Sequence, residues 1–215
     1  MDMRTTPLLT ARDAARHLNM PESTLDAWIA TTAEHAPLIH AVTPERRGWP
    51  RLPFVAIIEA HVLRSLRVLG APMPDIRLAA EFVRKELKDE YALANKRIAT
   101  DGVELFVELA DQSLIHVKGN QYGIREVLID YLQYITWDDE GKPAQLRLKQ
   151  YPAAAEVIID PRFGWGSPVL GASKVPVDAM LQLWRNGEPM SVVAKEYGLS
   201  KGVVEDVLRA ASTAA

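Results

Sequence analysis

Apolar residues recur at helical spacing over long stretches of this chain. From Phe54 to Leu69, the positions Val55, Ile58, Val62, Leu66 and Leu69 step by three and four, which predicts a helix with one buried face. Gly70-Ala71-Pro72 ends it, because glycine accepts the terminating conformation and proline cannot continue the hydrogen-bond ladder. A second helix is predicted from about Pro74 to Ala94, with Ile76, Ala79, Phe82, Val83 and Leu87 on one side. Upstream, Thr10 to Ile29 is amphipathic and broken near Asn19-Met20-Pro21. Residues 8–95 therefore read as helical, interrupted by a Pro- and Arg-containing loop from Pro37 to Pro53.

The pattern then changes. Glu104–Glu108 and Leu114–Val117 read as short strands on either side of a turn at Asp111-Gln112. Ile124 to Tyr134 is predicted helical, with Ile124, Val127, Leu128, Tyr131 and Leu132 on one face. Ile135–Trp137 and Gln145–Leu148 flank Asp138–Pro143 as a hairpin. A strand at Glu156–Ile159, a Gly/Pro-rich loop from Asp160 to Pro176 and helices from Val177 onward follow, with Ser212 to Ala215 as a tail.

Two windows carry the pattern of a helix-turn-helix, which needs a small residue where the helices cross, a residue tolerant of positive φ in the turn, and apolar residues that bury the corner. In the first, Ala15 is small, Asn19 takes the turn, and Leu18, Met20, Leu25 and Trp28 are apolar. Asn is among the few non-glycine residues that enter the left-handed region. In the second, Ala194 is small, Gly198 takes the turn, and Tyr197, Leu199, Val204 and Val207 are apolar, at the same offsets. The second helix of this later window carries Glu205 and Asp206, which repel phosphates.

Charge sharpens the picture. The 215 residues carry a formal net charge of -3, so DNA binding needs a local basic patch. Residues 101–155 hold nine acidic and five basic side chains and account for most of the negative charge. There is no Cys, which excludes disulfides and thiolate metal sites. The start has no signal-peptide core and no stretch reaches the ~20 apolar residues of a membrane span, so a cytoplasmic protein is expected. His17, His35, His40, His61 and His116 have no zincin spacing, Asp138-Asp139-Glu140 fits a solvated hairpin tip, and no nucleophile elbow occurs. Neither an enzyme, a metal nor a cofactor is expected.

Residues 9–87 resemble the MerR-type winged helix-turn-helix. The match lies in Ser23-Thr24-Leu25 with Trp28, in Gly48-Trp49 with Arg51, and in Leu69-Gly70 followed by Pro74-Asp75-Ile76. The resemblance implies a recognition helix in the major groove, with Ser23 and Thr24 at base edges, and a wing on the backbone with Arg51 at a phosphate. Arg46 and Arg47 share that loop and make it locally basic, offset in part by Glu45. Where the family commonly has a basic residue after Ser-Thr-Leu, this chain has Asp26, with Glu22 nearby.

Residues 157–210 resemble domain-of-unknown-function family 433, common among VapB-type antitoxins. The match runs through Ile159-Asp160-Pro161, Gly166, Pro168-Val169, Gly171, Val175-Pro176-Val177, Gly187-Glu188, Ala194–Tyr197, and Val203, Val204 and Val207. Gly171-Ala172-Ser173-Lys174 stands where the family often has Gly-Thr-Arg. Within the loop, Phe163 and Trp165 suit either the chain's own core or a protein–protein anchor.

These readings give a mainly α fold with small β elements (α+β): a winged helix-turn-helix over residues 1–97, a small α+β linker or dimerisation segment over 98–155, and a trihelical domain over 156–215. The resemblances imply an antitoxin that represses its own operon through operator DNA and holds a PIN-type ribonuclease toxin. Phe163, Trp165, Lys174, Glu205 and Asp206 are its expected partner contacts, and a homodimer is expected. The alternatives are a MerR-type regulator sensing a small molecule through residues 101–155, without a toxin, and a scaffold or adaptor without DNA affinity.

Overall fold

The alternation of short helices and turns near the N-terminus follows from its capping residues. Strand β1 (Pro7–Leu9) leads into α1 (Ala11–His17), where Thr10 caps the helix by accepting from the Asp13 amide. The chain turns at Asn19, whose φ is +49°, and enters α2 (Glu22–Ile29). A return loop reaches β2 (Leu52–Pro53), antiparallel to β1, and α3 (Phe54–Val68) starts directly from it. Gly70, at φ +83°, ends that helix, and α4 (Met73–Leu87) follows. A computed structural model describes residues 2–32, 35–118 and 121–213.

Helix α4 ends earlier than its apolar spacing predicts. Lys88 adopts the left-handed conformation, and its amide and that of Asp89 return to the Arg84 and Lys85 carbonyls. The Asp89 carboxylate then caps the Tyr91 amide at 2.8 Å and starts two short 3-10 turns, Ala92–Ala94 and Lys96–Ala99.

The strand expected at Glu104–Glu108 is a helix, α5 (Asp101–Asp111). Val103, Phe106 and Val107 are buried, and Glu104 and Glu108 share the outer face four residues apart, a helical period that a five-residue window hides. Leu114–Val117 forms no strand either; it is a link to α6 (Gln121–Leu132).

The predicted hairpin is present as β3 (Ile135–Trp137) and β4 (Pro143–Arg147). It extends through β5 (Val157–Ile159) and β6 (Val169–Leu170) into an antiparallel meander in the order β3-β4-β5-β6. Leu146 of β4 faces Ile159 of β5, so the segments expected to divide at 155/156 share one sheet. Three helices complete the chain: α7 (Val177–Arg185), α8 (Met190–Tyr197) and α9 (Lys201–Thr213). Ser212 and Thr213, expected in a tail, are the last residues of α9; Ala214 and Ala215 lie outside the described residues. One buried apolar cluster runs from Leu9 to Ala211, with Trp28, Phe54 and Phe106 fully enclosed. The fold is mainly helical with small sheets.

Candidate functional site

Both helix-turn-helix patterns form. In the first, Leu25 and Trp28 are buried, and the Trp28 carbonyl accepts the Leu38 amide at 2.7 Å, which folds the return loop under α2. That loop is pinned by a buried carboxylate: Glu59 accepts from the His40 amide at 2.8 Å and from Arg84 at 2.9 Å, with His40 Nδ1 at 2.8 Å. In the second, Ala194 lies in the corner, Gly198 is left-handed at φ +64°, and Val204 and Val207 are fully buried.

The outer face of α2 presents Glu22, Ser23, Asp26 and Ala27. Ser23 is exposed and Thr24 half-buried beside it, so of the two expected base-reading residues only Ser23 stands clear of the body. Glu22 is 3.4 Å from Arg12, an exposed pair that offsets part of its charge.

The wing closes where the Val42 amide donates to the Arg51 carbonyl at 2.8 Å. At its tip Gly48 turns at φ +85°, and the Arg46 guanidinium lies 5.3 Å over the Trp49 ring, which is 47% exposed. Arg47 is exposed on the same turn. Arg51 sits at the base: its amide donates to the Leu9 carbonyl at 3.0 Å, its side chain is half-buried, and its Nε is enclosed with no hydrogen-bond partner. Among the described residues, none of these three arginines forms an ion pair. Arg46 and Arg47 are thus exposed cations on one turn, with Glu45 exposed beside them.

The 160–176 loop is built on Asp160, which is fully buried. Burial pushes its carboxyl up, but hydrogen bonds from Arg162 (side chain at 2.7 Å and 3.0 Å, amide at 2.9 Å) and from Gln145 at 2.9 Å outweigh it and hold the group below the usual carboxylate range. Beyond it, Gly164, Trp165 and Gly166 all have positive φ. A Cβ on Gly164 would lie 2.7 Å from Val169, and one on Gly166 2.9 Å from Leu8 and 3.1 Å from Leu9. The loop is thus pressed inward at both glycines, and the residue between them points out: Trp165 is 88% exposed. Phe163, 38% exposed, has two cations over its ring, Arg162 and Lys174, each 5.6 Å from the centroid. The structure brings Phe163, Trp165 and Lys174 onto one loop. Glu205 and Asp206 lie elsewhere, on the exposed face of α9, where Arg209 stands 3.2 Å from the first and 3.8 Å from the second. Arg162 was missed by sequence reasoning, although an arginine two residues after an aspartate was a visible signal.

Among the described residues no group of three or more His, Asp or Glu could hold a metal ion, and no helix is long and apolar enough to cross a membrane. Residues 7–80 match the family described as "Putative DNA-binding HTH domain". Over 225 aligned residues, 95% of this chain and 93% of the relative, the sequence is 34% identical to a Mycobacterium tuberculosis protein named "Putative antitoxin VapB45". The crystal structure of Rv2018 from Mycobacterium tuberculosis superposes with a TM-score of 0.78 at 34% identity, covering 94% of this chain and 98% of that one. The helix-turn-helix head and the near full-length relative agree: the chain belongs to the VapB45 family of DNA-binding antitoxins.

Proposed function

We infer that this antitoxin neutralises a PIN-type ribonuclease and represses its own operon by binding operator DNA as a homodimer. The observation that carries the toxin half is the exposure of Trp165 on a strained backbone. A large ring in water and a left-handed non-glycine residue both disfavour the free protein, and a partner surface that covers the ring offsets both. Phe163 and Lys174 extend this patch with aromatic and positive character, which suits the acidic surface of a nuclease, while the charge of Arg162 is met by Asp160. Glu205 and Asp206 offer a second face for a basic rim.

On the DNA side, Arg46, Arg47 and Arg51 support a grip on the backbone, and Ser23 on the exposed face of α2 supports contact with base edges. The acidic residues Glu22 and Asp26 weaken a single head, so two heads on a two-fold symmetric operator supply the missing affinity. Tyr122 at 76% exposure and Ile129 at 50%, both on α6, support a dimer surface within residues 101–155.

Co-expression with the product of the adjacent gene tests the reading. Copurification, stoichiometric loss of that protein's RNase activity, and binding of the pair to its own promoter are expected. An uninhibited nuclease refutes the toxin half, and a promoter left unbound by a dimeric chain refutes the operator half.

A further inference from the structure

We propose that the cavity between the first helix-turn-helix and strand β4 binds a phosphate-bearing anion, and that the bound anion tightens the Leu18–Met20 turn. This goes beyond the antitoxin reading and depends on neither toxin nor DNA.

The cavity has a volume of about 230 Å³. That lies below the roughly 300–1,000 Å³ of sites that enclose drug-sized ligands, and it suits a phosphate group or the end of a slightly larger molecule. Four separate parts of the chain line it: the α1–α2 turn, α3, α6 and the end of β4. They bring three cations together, Arg64 from α3, Arg147 from β4 and Lys149 just beyond it. Only one of the three has a carboxylate among the described residues, Lys149 with Asp130. Arg147 instead lies 4.7 Å over the Tyr134 ring, and Arg64 donates to a backbone carbonyl. Like charges gathered around a partly enclosed space repel one another, and an anion relieves this. A guanidinium presents a planar fork that matches phosphate oxygens. His61 adds no charge, since burial holds it neutral with a pKa lowered to about 4, and its Nε2 donates to the Tyr131 carbonyl at 2.8 Å.

The same lining holds the turn. Gln150 donates to the His17 carbonyl at 2.7 Å, and Arg64 donates through Nη1 to the carbonyl of Leu18. Leu18 is the C-cap of α1, immediately before the left-handed Asn19. Both side chains thus satisfy carbonyls at the end of α1 while facing the cavity. A guanidinium has five N–H donors and Arg64 spends one on Leu18, so it can grip an anion and keep its hold on the turn. Fixing the guanidinium from the cavity side orders the carbonyl it holds.

The test is calorimetric titration of the full chain with inorganic phosphate, and separately with a nucleoside monophosphate, at ionic strength held constant with chloride. One saturable site per chain is expected, weakened at least about tenfold in the double variant Arg147→Gln, Lys149→Gln, which leaves both turn contacts in place. Tighter binding of the nucleotide with the same sensitivity to the double variant identifies the source as a nucleotide; equal binding identifies free phosphate. Amide exchange over Leu18–Met20 should slow on adding phosphate to the unmodified chain and stay constant in the double variant. No saturable binding up to about 10 mM of either probe, or equal binding by the double variant, overturns the site. Binding without a change in exchange overturns the coupling. A DNA duplex that displaces phosphate, with DNA affinity itself falling in the double variant when phosphate is absent, overturns the small-anion assignment in favour of a backbone contact.

Discussion

Replacing Gly166 by alanine should destabilise the fold far more than the same change at Gly48, though both glycines have nearly the same backbone angle, φ +86° and +85°. The shared term is conformational: an L-residue in the left-handed region costs about 1–2 kcal/mol. At Gly48 nothing lies within 4 Å of the added Cβ, so that term is the whole effect. At Gly166 the methyl would sit 2.9 Å from the Leu8 Cβ and 3.1 Å from the Leu9 Cγ, inside van der Waals contact with residues fixed in β1. Overpacking of this kind adds roughly 1–3 kcal/mol, which brings the total to about 3 kcal/mol or more. In a chain of 215 residues that corresponds to a fall in Tm of roughly 6–12 °C. Urea unfolding of the full chain, followed by circular dichroism, measures both variants against the parent. The steric argument fails if Gly166→Ala is no less stable than Gly48→Ala.

Three further outcomes are expected. Arg51→Ala should weaken DNA binding equally on all sequences and reduce the slope of log affinity against log salt by about one, whereas Ser23→Ala should shift base preference at unchanged slope; fluorescence anisotropy over a salt series separates them. Trp165→Gly removes both the exposed ring and the backbone strain, so thermal stability should hold while toxin inhibition weakens by more than ~2 kcal/mol, read by titrating RNase activity; unimpaired inhibition would remove Trp165 from the interface. Stability should also fall as the pH drops. Burial is the main reason that His17 and His61 have pKa values lowered from 6.5 to about 4, so the unfolded chain takes up protons that the folded one refuses; their contribution is intact above about pH 6.5 and is lost toward pH 4. Each should cost about 2 kcal/mol between pH 7 and pH 5, and His61→Gln should flatten the pH dependence by its share in denaturant titrations at the two values.

Where a position tolerates few residues, the sequence announces the structure. Asn19 and Gly198 stand where the backbone turns left-handed, and each was recognisable because most side chains avoid that region. The long periodic helix beginning at Phe54 was equally plain. Glu104–Glu108 misled because its five residues are too few to separate a period of two from one of 3.6. The pairing of β4 with β5 was hidden because it depends on a partner outside the local pattern. Trp165 illustrates the same limit at the site. Its neighbours Gly164 and Gly166 marked a tight turn, but only their approach to Val169, Leu8 and Leu9 decides that the ring faces water. The cavity joining His17 to Gln150 likewise arises from contacts between distant segments.

Strand β1 is only three residues long, yet it is the common seat of two loops. Gly166 of the aromatic loop rests on Leu8 and Leu9, and the Leu9 carbonyl receives the amide of Arg51 at the root of the wing. The path from Trp165 to the root of the wing thus runs through Gly166, the Leu9 side chain and one backbone hydrogen bond. Leu9 therefore carries two loads at once, the packing of the aromatic loop on its side chain and the root of the wing on its carbonyl, and a change that displaces it disturbs both.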